Sequence, residues 1–159
     1  MASCFIGFRY KRERPVQITR QADYAVRAVL YLAQIGPNAR ASTAQIARER
    51  LIPTTFLAKI VSQLAAAGVV RATRGARGGV SLARAPEEIS LLEIVEAIDG
   101  PVMLNECATE PHQCPMSDEC SVRTVWCDAQ AKLVAHLAQT NFAQMLQGNG
   151  AQPAVTLVD

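Results

Sequence analysis

Apolar residues along this chain fall first on a helical period, then on two short alternating runs, then on a helical period again. From Thr19, the residues Ala22, Ala25, Val29 and Leu32 repeat on one helical face until Gly36-Pro37 stops the pattern. Ser42-Thr43-Ala44-Gln45 has the form of a capping box and opens a short helix to about Arg50. Leu51-Ile52-Pro53 reads as a turn, because Pro53 has no amide donor and disfavours helical geometry at Ile52. A helix over 54–67 follows, ended by Gly68, with Leu57, Ile60, Val61 and Leu64 as its buried stripe. Val69-Val70-Arg71-Ala72-Thr73 and Val80-Ser81-Leu82-Ala83 are β-prone runs joined by a glycine-rich tip, which predicts a hairpin. A second capping pattern, Ser90-Leu91-Leu92-Glu93, opens a helix through Ile94, Val95 and Ile98 to Gly100-Pro101. Beyond a polar stretch, Val122, Trp126, Ala129, Leu133 and Leu137 recur at spacings of three or four. Continued weakly to Met145, they predict one helix within 121–147, some 25 residues or about 37 Å long.

The predicted fold class is mainly α with a small β-hairpin wing: a winged helix-turn-helix domain plus a long C-terminal dimerisation helix. The expected organisation is an N-terminal arm over 1–16, the DNA-binding unit over 17–84 and a connecting helix over 85–101. A cysteine-bearing loop over 102–120, the dimerisation helix over 121–147 and a disordered tail over 148–159 complete it. A helix of that length reaches past so small a domain and packs best against its twin. The expected homodimer has two-fold symmetry and matches a palindromic operator in double-stranded DNA.

Charge changes the picture most when it is divided. Residues 1–84 carry 14 Lys/Arg against 3 Asp/Glu, a net +11, whereas 85–159 carry 2 against 11, a net −9. The basic half suits a polyanion, and the acidic half belongs away from it. On the 54–67 helix, Thr54, Thr55, Lys59, Ser62 and Gln63 are expected to face outward, a small polar surface that fits a major groove. Arg74 and Arg77 at the hairpin tip are placed to reach phosphates or a minor groove. No run of about 18 uncharged apolar residues is present, so no membrane span is expected. The basic cluster Arg9, Lys11, Arg12 and Arg14 lacks the apolar segment of a secretory signal, and five cysteines, an odd number, argue for a reducing compartment. The cytoplasm is the expected location. No nucleophile–base pairing or phosphate-binding loop is recognisable, so no enzymatic activity is expected.

Cys107, Cys114 and Cys120 lie in one short loop with spacings C-x6-C and C-x5-C. Thiolates are the usual iron–sulfur ligands, and a loop can wrap three of them around one cluster. These spacings are wider than zinc-ribbon knuckles, although zinc or a thiol switch stays open on the residues alone. Cys127 is seven residues beyond Cys120, about 10 Å along a helix axis, and reads as a packing thiol.

Three segments together resemble the IscR/NsrR/RirA-type winged-helix repressors. They are Ile18-Thr19-Arg20-Gln21-Ala22-Asp23-Tyr24-Ala25-Val26-Arg27-Ala28, Arg74-Gly75-Ala76-Arg77-Gly78-Gly79-Val80-Ser81-Leu82 and Ile89-Ser90-Leu91-Leu92-Glu93-Ile94-Val95. The resemblance covers about residues 17–147. It implies a dimeric bacterial transcription factor whose operator binding is controlled by an iron–sulfur cluster. Cys107, Cys114 and Cys120 match the cluster cysteines, and Thr55, Lys59 and Arg74 match reading positions. The chain departs from the [2Fe–2S] members at the position three residues after the last cysteine, where Arg123 replaces their histidine ligand. Asp23 falls where nitric-oxide-sensing members place an aspartate that ligates a [4Fe–4S] cluster from the opposite subunit. It is one candidate fourth ligand and His112 another, so a [4Fe–4S] cluster is favoured over [2Fe–2S]. The bland role for Asp23 is an ion pair with Arg27 one turn on. The alternative for the whole chain is a cluster-free regulator gated by thiols, zinc or a protein partner.

Overall fold

A computed structural model of the protein describes residues 18–36, 38–75, 78–105 and 119–148. Six helices and one hairpin follow in the order α1 (Arg20–Ile35), α2 (Thr43–Arg50), α3 (Thr54–Ala66), β1 (Val70–Thr73), β2 (Gly79–Leu82), α4 (Leu91–Asp99), α5 (Ser121–Gln139) and α6 (Phe142–Gln147) among the described residues. A single 3-10 turn, Pro86–Glu88, precedes α4.

Helix α1 is the centre of the molecule and packs against α2, α3, α4 and α6. Its predicted stripe is buried, with Ala22, Ala25 and Val29 fully enclosed. Thr19 caps it by accepting the Ala22 amide at 3.2 Å, and Asp99 at the end of α4 accepts from the Thr19 hydroxyl at 2.6 Å. The start of α1 and the end of α4 are thereby tied.

Both predicted capping boxes are half built. Ser42 accepts from the Gln45 amide and Ser90 from the Glu93 amide. The return bond is missing because each third residue serves a tertiary tie instead: Gln45 donates to the Tyr31 hydroxyl at 2.9 Å, and Glu93 pairs with Arg84. Helix α3 ends in a Schellman arrangement, with Gly68 at a φ of 72° and its amide on the Ala65 carbonyl at 3.1 Å. The Val69 amide returns to the Leu64 carbonyl at 2.9 Å, and both side chains are buried.

The hairpin pairs Val70 with Leu82, Arg71 with Ser81, Ala72 with Val80 and Thr73 with Gly79. Ala41 exchanges two backbone hydrogen bonds with Val80 and adds a third short rung.

The C-terminal region differs from the expected single helix over 121–147. The chain breaks at Thr140-Asn141 into α5, 19 residues or about 28 Å, and the short α6. Asn141 and Gln144 form a reciprocal capping box, at 2.9 and 3.0 Å. The Leu91 amide donates to the Thr140 carbonyl and the Phe142 amide to that of Ile89, which holds the break against the start of α4. Phe142 is then fully buried in the central core. Burying a phenylalanine and capping a new helix outweigh continuing one helix into solvent.

Candidate nucleic-acid interface and cysteine site

Helices α2 and α3 meet at a sharp turn. Leu51, in left-handed geometry at a φ of 53°, ends α2, and Pro53 stands at the start of α3. The core stripe of α3 holds the helix from one side through Leu57, Ile60, Val61 and Leu64. Thr54, Thr55, Ala58, Lys59 and Ser62 are exposed on the other side.

Gln63 is a departure from the expected outward face. It is half-buried, and its side-chain oxygen accepts from Gln21 of α1 at 2.6 Å, so it ties two helices. Phe56 was not anticipated on the surface: its ring is exposed beside Thr55 and packs edge-on to Tyr24 with centroids 5.9 Å apart. Its place on the flank towards α1 depends on the packing angle between helices, which a one-dimensional pattern does not carry.

Arg74 follows β1 and is exposed, as is Arg71 within β1. Arg77 lies outside the described residues. The tip accepts only a glycine at position 78, where a Cβ would stand 2.2 Å from the Thr73 carbonyl oxygen. Helix α3, the start of α2 and the wing enclose an open cleft of about 550 Å³. Ser42, Thr43, Ser62, Thr73 and Arg74 give it a polar lining. A groove with hydroxyl donors and arginine at its rim suits phosphodiester oxygens.

Cys120 forms the N-cap position of α5 and carries a free, half-buried thiol. Cys127 is also free and half-buried, two turns further along the same helix. Gln130 of α5 reaches back to the chain leaving α4, accepting from the Leu104 amide at 2.8 Å and donating to the Val102 carbonyl. Both ends of the cysteine-bearing segment are thus anchored on α5. Cys107, His112 and Cys114 lie outside the described residues. Among the described residues no group of three or more His, Cys, Asp and Glu side chains is placed to hold a metal ion. Asp23 on α1 forms an ion pair with Arg27 at 2.6 Å, each about half exposed.

The profile of the Rrf2 family, described as "Iron-dependent Transcriptional regulator", matches residues 18–148. The chain belongs to the Rrf2 family. A putative HTH-type transcriptional regulator of Aquifex aeolicus is 32% identical over 125 residues, covering 77% of this chain and 86% of that protein. The HTH-type transcriptional regulator NsrR of Shouchella clausii is 31% identical over 125 residues, covering 78% and 84%. Among solved structures, a putative transcriptional regulator from Listeria innocua superposes with a TM-score of 0.75 at 25% identity, covering 92% of this chain and 96% of that one. IscR of T. potens gives 0.65 at 25% identity, covering 89% and 96%. CymR of B. subtilis, a global cysteine regulator, shares the fold at a TM-score of 0.69 and 23% identity, covering 82% and 96%.

As an Rrf2 protein the chain is a DNA-binding transcriptional regulator with a winged helix-turn-helix fold, and not an enzyme. No helix among the described residues is long and apolar enough to cross a membrane.

Proposed function

We propose that a homodimer of this chain represses transcription from a palindromic operator, with an iron–sulfur cluster setting its affinity. Thr54, Thr55, Lys59 and Ser62 of α3 read the major groove, and Arg74 and Arg77 of the wing reach the phosphates or the adjacent minor groove. Gln63 acts through its bond to Gln21, holding α3 at its angle to α1.

The observation that carries the reading is that α5 links the two functional regions. Cys120 stands at one end of it, and at the other α6 is sunk into the reader's core through Phe142. Helix α5 also leaves an apolar face, Val122, Val125 and Trp126, exposed in the single chain. A second copy of the chain covers that face and aligns two recognition helices for half-sites one helical turn apart.

Three thiolates from Cys107, Cys114 and Cys120 fit an iron–sulfur cluster as a donor set. Bound there, such a cluster supplies iron that responds to oxidants, nitric oxide or iron supply. Arg123, a turn beyond Cys120, has no lone pair to offer a metal. The fourth ligand is Asp23 of the opposite subunit, which favours a [4Fe–4S] cluster, or His112. The Asp23–Arg27 pair does not stand in the way, because a half-exposed ion pair of this spacing stabilises a helix by only about 0.3–0.5 kcal/mol. Through Gln130 and α5, a change at the cysteine segment shifts the two reading heads relative to each other.

Anaerobic purification with iron and sulfide analysis tests the sensor. Four of each per chain supports this reading and makes Asp23→Ala the next variant. Two of each points to [2Fe–2S], with His112 tested first. Iron-free protein removes the cluster and leaves a regulator gated by thiols, zinc or a partner.

A further inference from the structure

The wing is two strands of four residues braced by the single Ala41–Val80 rung, and a hairpin that small is marginally stable in water unless its base is held as well. Ala83 closes the ladder with a 2.9 Å bond to the Val69 carbonyl. Just beyond, the guanidinium of Arg84 spans three elements. Its Nη1 donates to the Glu88 carbonyl at 3.1 Å, its Nε reaches the Gly68 carbonyl at 3.4 Å, and its Nη2 pairs with Glu93 of α4. Gly68 is the residue that leaves α3, and Arg84 is the residue that leaves the hairpin. One planar fork therefore joins both feet of the wing to α4. A lysine ammonium cannot meet three acceptors in this arrangement. Glu93 gives up its return capping bond to Ser90 for the pair.

We propose that Arg84, held by Glu93, is the positioning residue that sets the angle of the wing against α3 and so places Arg74 on DNA. The inference rests on the reading of Arg74 as a DNA contact. Leverage explains why the base matters: a four-residue strand is about 14 Å long, so a tilt of about 10° at the base moves the tip by about 2.4 Å. A displacement of that size exceeds what a hydrogen bond tolerates. Losing the staple leaves Arg74 present and charged but poorly aimed. Arg74 then contributes little, while Lys59, in the middle of α3, is unaffected.

A double-mutant cycle separates this from a general loss of structure. The affinity of the dimer for an operator selected from random-sequence duplex DNA is measured for Arg74→Ala and Lys59→Ala, each in the wild-type and the Arg84→Ala background. The expected result is that Arg74→Ala weakens binding on the order of tenfold in the wild type and by no more than about threefold once Arg84 is gone. Lys59→Ala is expected to carry the same penalty in both backgrounds. An undiminished Arg74 penalty, or equal shrinkage of both penalties, overturns the proposal. No effect of Arg74→Ala in the wild type overturns the wing reading itself, and the proposal with it. Should Arg84→Ala fail to fold, Glu93→Ala, which removes the carboxylate that holds the Arg84 fork, runs the same cycle with the same criteria.

Discussion

Leu51 has a φ of 53° and an 82% exposed side chain, so it contributes strain and almost no packing. Left-handed geometry costs a non-glycine residue roughly 1–2 kcal/mol, against roughly 0.5–1 for the extra freedom of an unfolded glycine. Leu51→Gly is therefore expected to stabilise the fold by about 0.5–1 kcal/mol in chemical denaturation; a loss of stability would show that the exposed leucine has a contact in the assembled protein. Among the reading residues, Lys59→Ala and Arg74→Ala are each expected to weaken operator binding by ~1–3 kcal/mol if they touch bases, and by less if they touch only phosphates. Affinity titrations on operator and random DNA distinguish the two, since a phosphate contact is lost equally on both. Single residues were legible where one rule governed them: Ser42 and Ser90 as caps, Gly68 as a helix stop. Gln63 and Phe56 were not, because each is decided by its distance from α1, and helix angles are set by packing.

At the scale of elements, apolar periodicity with capping and stop signals located α1 to α4, and the β-prone runs located both strands, although β1 buries only Val70. The C-terminal break was harder. Apolar spacing continues across Thr140, and only the capping pattern Asn141-Phe142-Ala143-Gln144 marks a new start. The expected stripe on α5 was also only part of the story. None of its residues is buried in the single chain, because α5 uses one side against α4 and leaves Val122 and Trp126 outside. Phe142 gives a direct test of α6 as part of the core. Phe142→Ala is expected to destabilise the protein by about 3–5 kcal/mol in urea or thermal unfolding. A change under 1 kcal/mol would mean that α6 is peripheral and that α5 is not anchored to the reader.

For the whole molecule, the division of charge was the most legible feature, with +11 on 1–84 and −9 beyond. On the proposed reading it sets the basic half against DNA, and affinity is then expected to fall steeply with salt. The cysteine site was legible only as composition and spacing, because three thiolates separated by five and six residues define a donor set without its geometry. Symmetry belongs to this scale too. Val125, 63% exposed on the outer side of α5, is the position for a charge that a dimer cannot bury. Val125→Glu is expected to sediment as a monomer with its far-ultraviolet spectrum intact and to lose tight operator binding, whereas an unchanged dimer would move the interface off α5. Coupling of cluster to operator is the central proposed property of the molecule. The deciding measurement is an anaerobic anisotropy titration of the selected operator with cluster-loaded protein and with the same protein after chelation of its iron. Affinities that differ at least tenfold are expected, and equal affinities for the two forms would mean that the cluster does not control operator binding.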